Sequence, residues 1–462
     1  MQFEFKNLGT IKEAQLEMGD LTIICGENNT GKTYLTYAVW GILDVKQLSN
    51  LNVLTTLLQT GEFEKFYNCI GKSKMTEDLD FFYINVTGKN WKEMLSKINE
   101  LHRKNIRSLF VASLDSFEEL ELLVLDLNNM NFSSEILPIE LSVNKGKSLN
   151  IKIEKSRMSE AFKEFKEQDI KASYLQFIYT ILVAFQSYDK SVFILPAQRD
   201  SIELFYKALD EHNAHTLKEL QRTKDMSLLE ESPRFPQPIE KLIDFARDLT
   251  RQVIKTESFI QKEYPELLQE IEDILGVKYE VLGDEVVIKD GSARLPAYMA
   301  STSVRSLMHL YFWLKHKAQK GDLLMIDEPE LNLHPKNQIK MARLFAKLIN
   351  VGVKIWITTH SDYIIKELNN CLMLSQDFEN KEEMIEKLGY KSNEILKQEQ
   401  IKAYIAKYDE ILKGCTVVPV EYDDYGMVMT TFDEQIDQIN AISEQLSDAI
   451  YDKKLSKEQQ IN

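Results

Sequence analysis

The stretch Gly26-Glu27-Asn28-Asn29-Thr30-Gly31-Lys32-Thr33 decides the fold. It fits G-x-x-x-x-G-K-[ST], a loop that cradles phosphates with its backbone amides. Leu21 to Cys25 before it is an apolar run that predicts a buried strand, and Tyr34 to Leu43 after it predicts a helix. Strand, loop and helix in that order are the context the motif requires. Gly26 and Gly31 allow backbone angles that turn amides inward, and the new helix adds its positive end. Lys32 is placed to reach the outer phosphates of a nucleotide, and the Thr33 hydroxyl to ligate Mg²⁺. Asn28, Asn29, Thr30 and Tyr34 complete the set of candidate nucleotide-binding positions in this segment.

Working outward, residues 2–25 read as two strands around a turn and then the strand that feeds the loop. Phe3, Phe5 and Leu8 alternate with polar residues, as do Ala14, Leu16 and Met18. Residues 44–115 read as mainly helical and irregular, with candidate stripes at Leu54, Leu57, Leu58 and Phe63 and along Lys92 to Leu109. Leu122–Leu125, Ile139–Val143 and Leu149–Ile153 read as a β-meander, followed by helix over 156–188. Val192–Leu195 is a further buried strand. Residues 201–275 carry apolar positions at helical spacing, broken by Pro233, Pro236 and Pro238. They fit an inserted arm or hairpin, or a plain helical lobe of the same domain. Residues 278–289 alternate as a hairpin turned at Gly283-Asp284. Beyond 380 the sequence predicts an extension with a strand at Thr416–Val420 and a last amphipathic helix along Ile436, Ile439, Ile442, Leu446 and Ile450.

Two further segments carry chemistry. Leu323-Leu324-Met325-Ile326 ends in Asp327-Glu328-Pro329, which predicts a core strand delivering two acids to the edge where ligands of parallel sheets sit. Asp327 is then a candidate Mg²⁺ ligand, and Glu328 a candidate base for the attacking water. Lys354-Ile355-Trp356-Ile357-Thr358-Thr359 is another apolar strand. It ends in His360, a candidate γ-phosphate contact beside Glu328.

Composition narrows the setting. The chain has 462 residues, 44% of them hydrophobic, enough for a large core. Its apolar run at Tyr174–Phe185 is too short to span a bilayer. No basic-then-apolar leader opens the sequence, and its four cysteines show no C-x-x-C pairing, so a reducing cytoplasm is the expected compartment. The formal net charge of −16 argues against a surface that grips nucleic acid over most of its area. It leaves room for a local basic groove and fits the docking of a basic partner.

The order phosphate loop, Gln198 loop, Ser301 helix, Asp327-Glu328 strand and His360 strand resembles the ABC-type ATPases of the RecF and SMC group. It is more similar still to the ATPases of OLD-type nucleases and of bacterial anti-phage systems. The resemblance rests on residues 1–43, 191–200 and 295–375. It implies an α/β fold: a P-loop ABC-type head with a mixed central sheet, an N-terminal antiparallel β-layer and an inserted helical arm. The core would take in 1–43, 191–200 and 295–380, with a helical and β-meander insertion at 44–190, the arm at 201–275 and an extension at 381–462. It also implies ATP and Mg²⁺ as ligands. Gln198 would join Thr33 and Asp327 at the metal, and Arg199 would contact phosphate or a neighbouring subunit, the alternative being an ordinary surface Gln-Arg pair. Ser301 and Ser303 match the motif by which one subunit caps ATP held by another, although Thr302 and Ser303 stand where that family has two glycines. A simple Ser/Thr helix cap is the other reading of this stretch. Glu330 to Pro335 matches the loop that crosses the dimer, with His334 structural or interfacial.

OLD-type chains carry a fused TOPRIM nuclease, and no such pattern is found past residue 375. The implied protein is therefore a separate ATPase subunit, as in PARIS and Septu systems. It would be a homodimer or higher oligomer built through ATP-sandwiched heads, holding a nuclease or toxin effector and answering a phage-derived trigger, with no membrane association. The alternative is a RecF- or SMC-like ATPase that clamps DNA.

Overall fold

The computed structural model describes residues 1–44, 74–77, 81–87, 109–110, 120–124, 131–133, 139–144, 148–154, 190–224, 235–429 and 439–448. Its strands are β1 Gln2–Leu8, β2 Ile11–Glu17, β3 Leu21–Gly26, β4 Lys74–Glu77, β5 Phe81–Thr87, β6 Glu121–Val124, β7 Asn131–Ser133, β8 Ile139–Asn144, β9 Ser148–Glu154 and β10 Val192–Leu195. They continue as β11 Lys278–Leu282, β12 Glu285–Asp290, β13 Ala293–Pro296, β14 Leu323–Asp327, β15 Lys354–Thr359, β16 Ile401–Asp409 and β17 Gly414–Pro419. The described helices are α1 Lys32–Leu43, α2 Arg199–Thr223, α3 Gln237–Leu249, α4 Phe259–Glu263, α5 Pro265–Leu275, α6 Thr302–His316, α7 Pro335–Asn350, α8 Asp362–Met373 and α9 Lys381–Lys387.

A nine-stranded mixed sheet organises the molecule, in the order β10-β14-β15-β3-β16-β17-β2-β1-β6. From β10 to β16 neighbouring strands are parallel. Both faces there are covered, which is why their sequences run almost continuously apolar. The two-residue period then sorts side chains between two cores. Leu21, Ile23, Leu324, Ile326, Ile355 and Ile357 enter one, shared with α3, α5, α6, α7 and α8. Ile24, Leu323, Met325 and Trp356 enter the other, shared with α1 and the inner faces of β1 and β2. Each fully buried Leu or Ile contributes about 1.5–3 kcal/mol. Replacing Ile23, wholly enclosed between β15 and β16, by alanine would cost about 2–5 kcal/mol. At the other end β1 pairs antiparallel with β2 and β6, and only one face is covered, giving the alternation seen in their sequences.

Three placements differ from the sequence expectations. β16 and β17 are not in an appendage. They lie in the middle of the sheet between β3 and β2, so the chain returns beyond residue 400 to complete its core. Strand β6 pairs with β1 rather than joining the meander. The segment expected to be helical and irregular holds the antiparallel pair β4–β5, which joins a five-stranded sheet in the order β4-β5-β9-β8-β7. Phe81 to Thr87, rich in aromatic and β-branched residues, is the sequence reason for the strand there. The helical stripes expected at 54–63, most of 92–109 and 156–188 lie outside the described residues.

Helices α3 and α5 share one core with the parallel sheet, whereas α2 is exposed along much of its later half. The hairpin β11–β12 turns at Gly283-Asp284 with Gly283 at φ +62°, as its alternation requires. In the final amphipathic segment residues 439–448 are helical, with Ile439, Ile442 and Leu446 exposed. Among the described residues no helix is long and apolar enough to cross a membrane.

Candidate active site

The candidate site lies at the C-terminal ends of β3, β14 and β15. Gly26 ends β3 at φ +141°, and a Cβ there would meet the Ala406 carbonyl oxygen of β16 at 2.1 Å. Gly31 is left-handed at φ +90°, and a Cβ would crowd Ile11 at 2.7 Å. Both glycines are therefore demanded by conformation and by close approach. Thr30 Oγ1 donates to Glu27 O at 2.8 Å and closes the loop on itself. Asn28 and Asn29 are exposed, with Asn29 at φ +63°. Helix α1 starts at Lys32 with no acidic residue in its first turn and no side-chain cap. The carboxylate that meets its first turn comes instead from a distant part of the chain, Asp327, on Thr33 Oγ1.

Lys32 is buried, and its Nζ donates to Gly26 O at 3.0 Å and Glu27 O at 2.6 Å. Burial lowers its pKa, opposed by the nearby Glu328 and Asp327 carboxylates. Tyr34 is exposed, its ring tilted against Phe110 at 5.1 Å.

Thr33 binds the loop to the acidic strand: its Oγ1 donates to Asp327 Oδ2 at 2.9 Å. The other carboxylate oxygen of Asp327 accepts from Thr358 Oγ1 at 2.5 Å. Burial pushes the Asp327 pKa up, while these two hydroxyls favour its charged form. Glu328 follows in the left-handed region, φ +53°. Its N–H donates to Thr358 Oγ1 at 3.0 Å and lies 3.1 Å from Thr358 O. Such a backbone is uncommon for a residue with a long side chain. It marks the point where the chain leaves the sheet and turns the carboxylate toward β15. Glu328 Oε1 lies 3.3 Å from His360 Nε2. This contact is the largest cause of a Glu328 pKa held below its ordinary value.

The expected residues separate into two groups. Lys32, Thr33, Asp327, Glu328 and His360 converge on one sheet edge. Gln198, Ser301 and Ser303 make no direct contact with them among the described residues. Gln198 is exposed at the entry to α2, in the loop that follows β10, the strand next to β14. Ser301 precedes α6, exposed, its Oγ 3.0 Å from Ser303 Oγ. Neither side chain caps the helix.

Arg199 corrects the sequence expectation. It is completely buried and spends its guanidinium on carbonyl oxygens: Nη1 donates to Asp327 O at 2.7 Å and Pro196 O at 3.2 Å, Nη2 to Glu328 O at 2.8 Å, and Nε to Ser306 O at 3.1 Å. It is neither an exposed interface residue nor free to reach phosphate. Instead it ties the start of α2, the acidic strand and α6 together. Arg305 repeats the link, donating to Asp200 O at 3.2 Å and to Ala300 O. His334 is a helix cap, its Nδ1 accepting from Lys336 N at 3.3 Å ahead of Pro335.

Thr358 and Glu330 were missed as site residues. Thr358 could have been found: a hydroxyl inside an apolar strand, in register with Asp327, is a buried polar group in need of a partner. Glu330 was read only as the start of the stretch resembling the dimer-crossing loop, and nothing in the sequence directed it to His360.

No group of three or more His, Cys, Asp or Glu suited to a metal occurs among the described residues. The donor set at Thr33 and Asp327 still fits Mg²⁺, which is held through few protein oxygens and completes its shell with water and substrate phosphates.

Fold and site define a P-loop nucleotide-binding protein with the histidine strand β15 beside the loop strand β3 and the acidic strand β14 next beyond it. Residues 1–365 match the family described as AAA ATPase domain, and the chain belongs to that family. No curated protein matches the sequence. Among solved structures it is similar to the SMC head bound to the C-winged helix domain of ScpA, at 11% identity over 91% of this chain and 97% of that one, with a TM-score of 0.34. It is similar also to the SMC head domain from Thermotoga maritima, at 11% identity over 91% and 98%, TM-score 0.33. A third is the Smc head domain with an extended coiled coil, bound to the C-terminal domain of ScpA derived from Pyrococcus furiosus, at 12% identity over 96% and 98%, TM-score 0.34. Likeness at this distance says nothing about activity or partners.

Proposed function

We propose that this chain binds ATP with Mg²⁺ and hydrolyses it. The observation that carries the reading is the interlock of loop and acidic strand, Thr33 Oγ1 to Asp327 Oδ2 at 2.9 Å, with Glu328 held against His360 at 3.3 Å. The loop amides and Lys32 would take the triphosphate, with Asn28, Asn29, Thr30 and Tyr34 around it. Thr33, Asp327 and Gln198 would hold the metal. Bound Mg²⁺ would neutralise phosphate charge and fix its orientation. Glu328, kept ionised by His360, is suited to accept a proton from water. Measuring phosphate release by the wild type against Glu328→Gln tests this. Equal rates in the two would remove Glu328 from that role.

The exposed Ser301 at the start of α6 supports a composite site completed by a second copy. Arg199 and Arg305 tie α6 to the same sheet edge, and the start of α6 is open to solvent. In this reading the protein is the ATPase subunit of an anti-phage defence system whose oligomer controls a separate nuclease or toxin. The support for that role is the motif resemblance over residues 1–43, 191–200 and 295–375. Native mass measurement of the complex purified with the product of its neighbouring gene, with and without ATP, tests it. A lone monomer under both conditions would exclude it.

A further inference from the structure

We propose that Glu330 is a positioning residue that fixes the His360 main chain and thereby sets the Glu328–His360 contact. The inference rests on the ATPase reading of the site. Glu330 Oε1 accepts the His360 N–H at 2.5 Å. Its Oε2 is buried and has no hydrogen-bond partner among the described residues. Burial pushes the Glu330 pKa up, opposed by the bonds from the His360 amide, its own amide and the Thr359 hydroxyl, so a carboxylate kept in such a place is held by local donors. The cost of its burial is offset by what it holds. The last sheet pair between β14 and β15 is Asp327 with Thr358. Past that point regular pairing stops, yet Glu328 and His360 must still meet side chain to side chain.

Side chains and turns replace the ladder there. From one side, the Glu328 N–H is held on Thr358. From the other, Glu330 reaches back over the sheet edge to the His360 amide. Next in sequence, Ser361 N–H donates to Thr359 Oγ1 at 2.9 Å, and Ser361 Oγ donates to Gln338 Oε1 at 2.6 Å. The turn from β15 into α8 is thus gripped by two side chains of the preceding strand–helix unit, Glu330 and Gln338. Of the two, Glu330 bonds the histidine itself. Without that acceptor the His360 main chain loses its tie to the β14 side, and the aim of the imidazole at Glu328 loosens.

The test is a double-substitution cycle on the full chain. Glu330→Leu should lower kcat for ATP about 30-fold with KM unchanged within threefold, and Glu330→Gln, which keeps an acceptor oxygen, should restore most of it. Combined with His360→Ala, Glu330→Leu should add no further loss, because both act through one imidazole. A multiplicative loss, or a fall in kcat matched by an equal rise in KM, would overturn the inference. Should Glu330→Leu not fold, hydrogen exchange of the wild type decides: the His360 amide must be protected, and exchange at the rate of an unbonded amide sinks the proposal. A wild type that binds and turns over no ATP fails at the first measurement and removes the ATPase reading itself.

Discussion

The two halves of the expected nucleotide site are built in opposite ways. The phosphate-loop half is interlocked inside one chain: Lys32 is buried, Thr33 and Thr358 share the two oxygens of Asp327, and Glu328 is bonded through its main chain and side chain. In the Ser301–Ser303 half Ser301 is exposed, Thr302 and Ser303 are half-buried, and the two serine hydroxyls bond each other. Yet this half is fixed in place by Arg199 and Arg305 from behind. A preorganised catalytic edge beside a rigid, open helix start is the arrangement expected if the second half acts on a different molecule. In the composite-site reading proposed above, each half would wait on a second copy.

The contrast can be broken at several points. The largest effect is expected at Glu328: Glu328→Gln should cut turnover by roughly 10²- to 10⁴-fold, the range for loss of a general base, while ATP binding is retained. Equilibrium binding beside single-turnover hydrolysis reads both. Next, Lys32→Ala should weaken ATP binding about 100-fold, as the loss of a charged hydrogen bond of about 3 kcal/mol implies, measurable by calorimetry.

A smaller effect is expected behind the Ser301–Ser303 half. His309 of α6 is fully buried, neither ring nitrogen has a partner among the described residues, and burial drives its pKa down to about 4. The unfolded chain takes up a proton near pH 6.5 that the folded chain refuses. Stability therefore falls as pH drops through 6.5, and the loss levels off below about 4. Between pH 7 and 5 this amounts to about 2 kcal/mol. Denaturant midpoints of His309→Leu should show a shallower decline over that interval than the wild type. The smallest effect belongs to Ser301→Ala: a fall in turnover of about threefold to tenfold, the worth of one hydrogen bond. It should appear only at protein concentrations where oligomers form. A loss of equal size at all concentrations would dissolve the contrast between the halves.

Much of the catalytic edge was legible because it is local. Lys32 and Thr33 belong to one loop, and Asp327, Glu328 and His360 each follow an apolar strand whose edge is predictable. What was not legible is long-range. The strand Ile401–Asp409 was not expected, and nothing local in it shows its seat beside β3. Arg199 sits where a phosphate ligand is expected, and only the fold shows its donors consumed by carbonyls. Glu330 reads as an ordinary loop acid until β15 is placed next to it.

The close fit of Gly26 against Ala406 has a temporal meaning. The loop motif is made among the first residues of the chain, but the strand it rests on is made more than three hundred residues later, by the numbering of Gly26 and Ala406. That strand also lies beyond the 1–365 span matched by the family. During synthesis the early residues must therefore wait on the ribosome for their floor to emerge, a delay that long-range pairing always imposes. On the ATPase reading, a product terminated before residue 401 would carry the loop motif without the strand against which Gly26 packs.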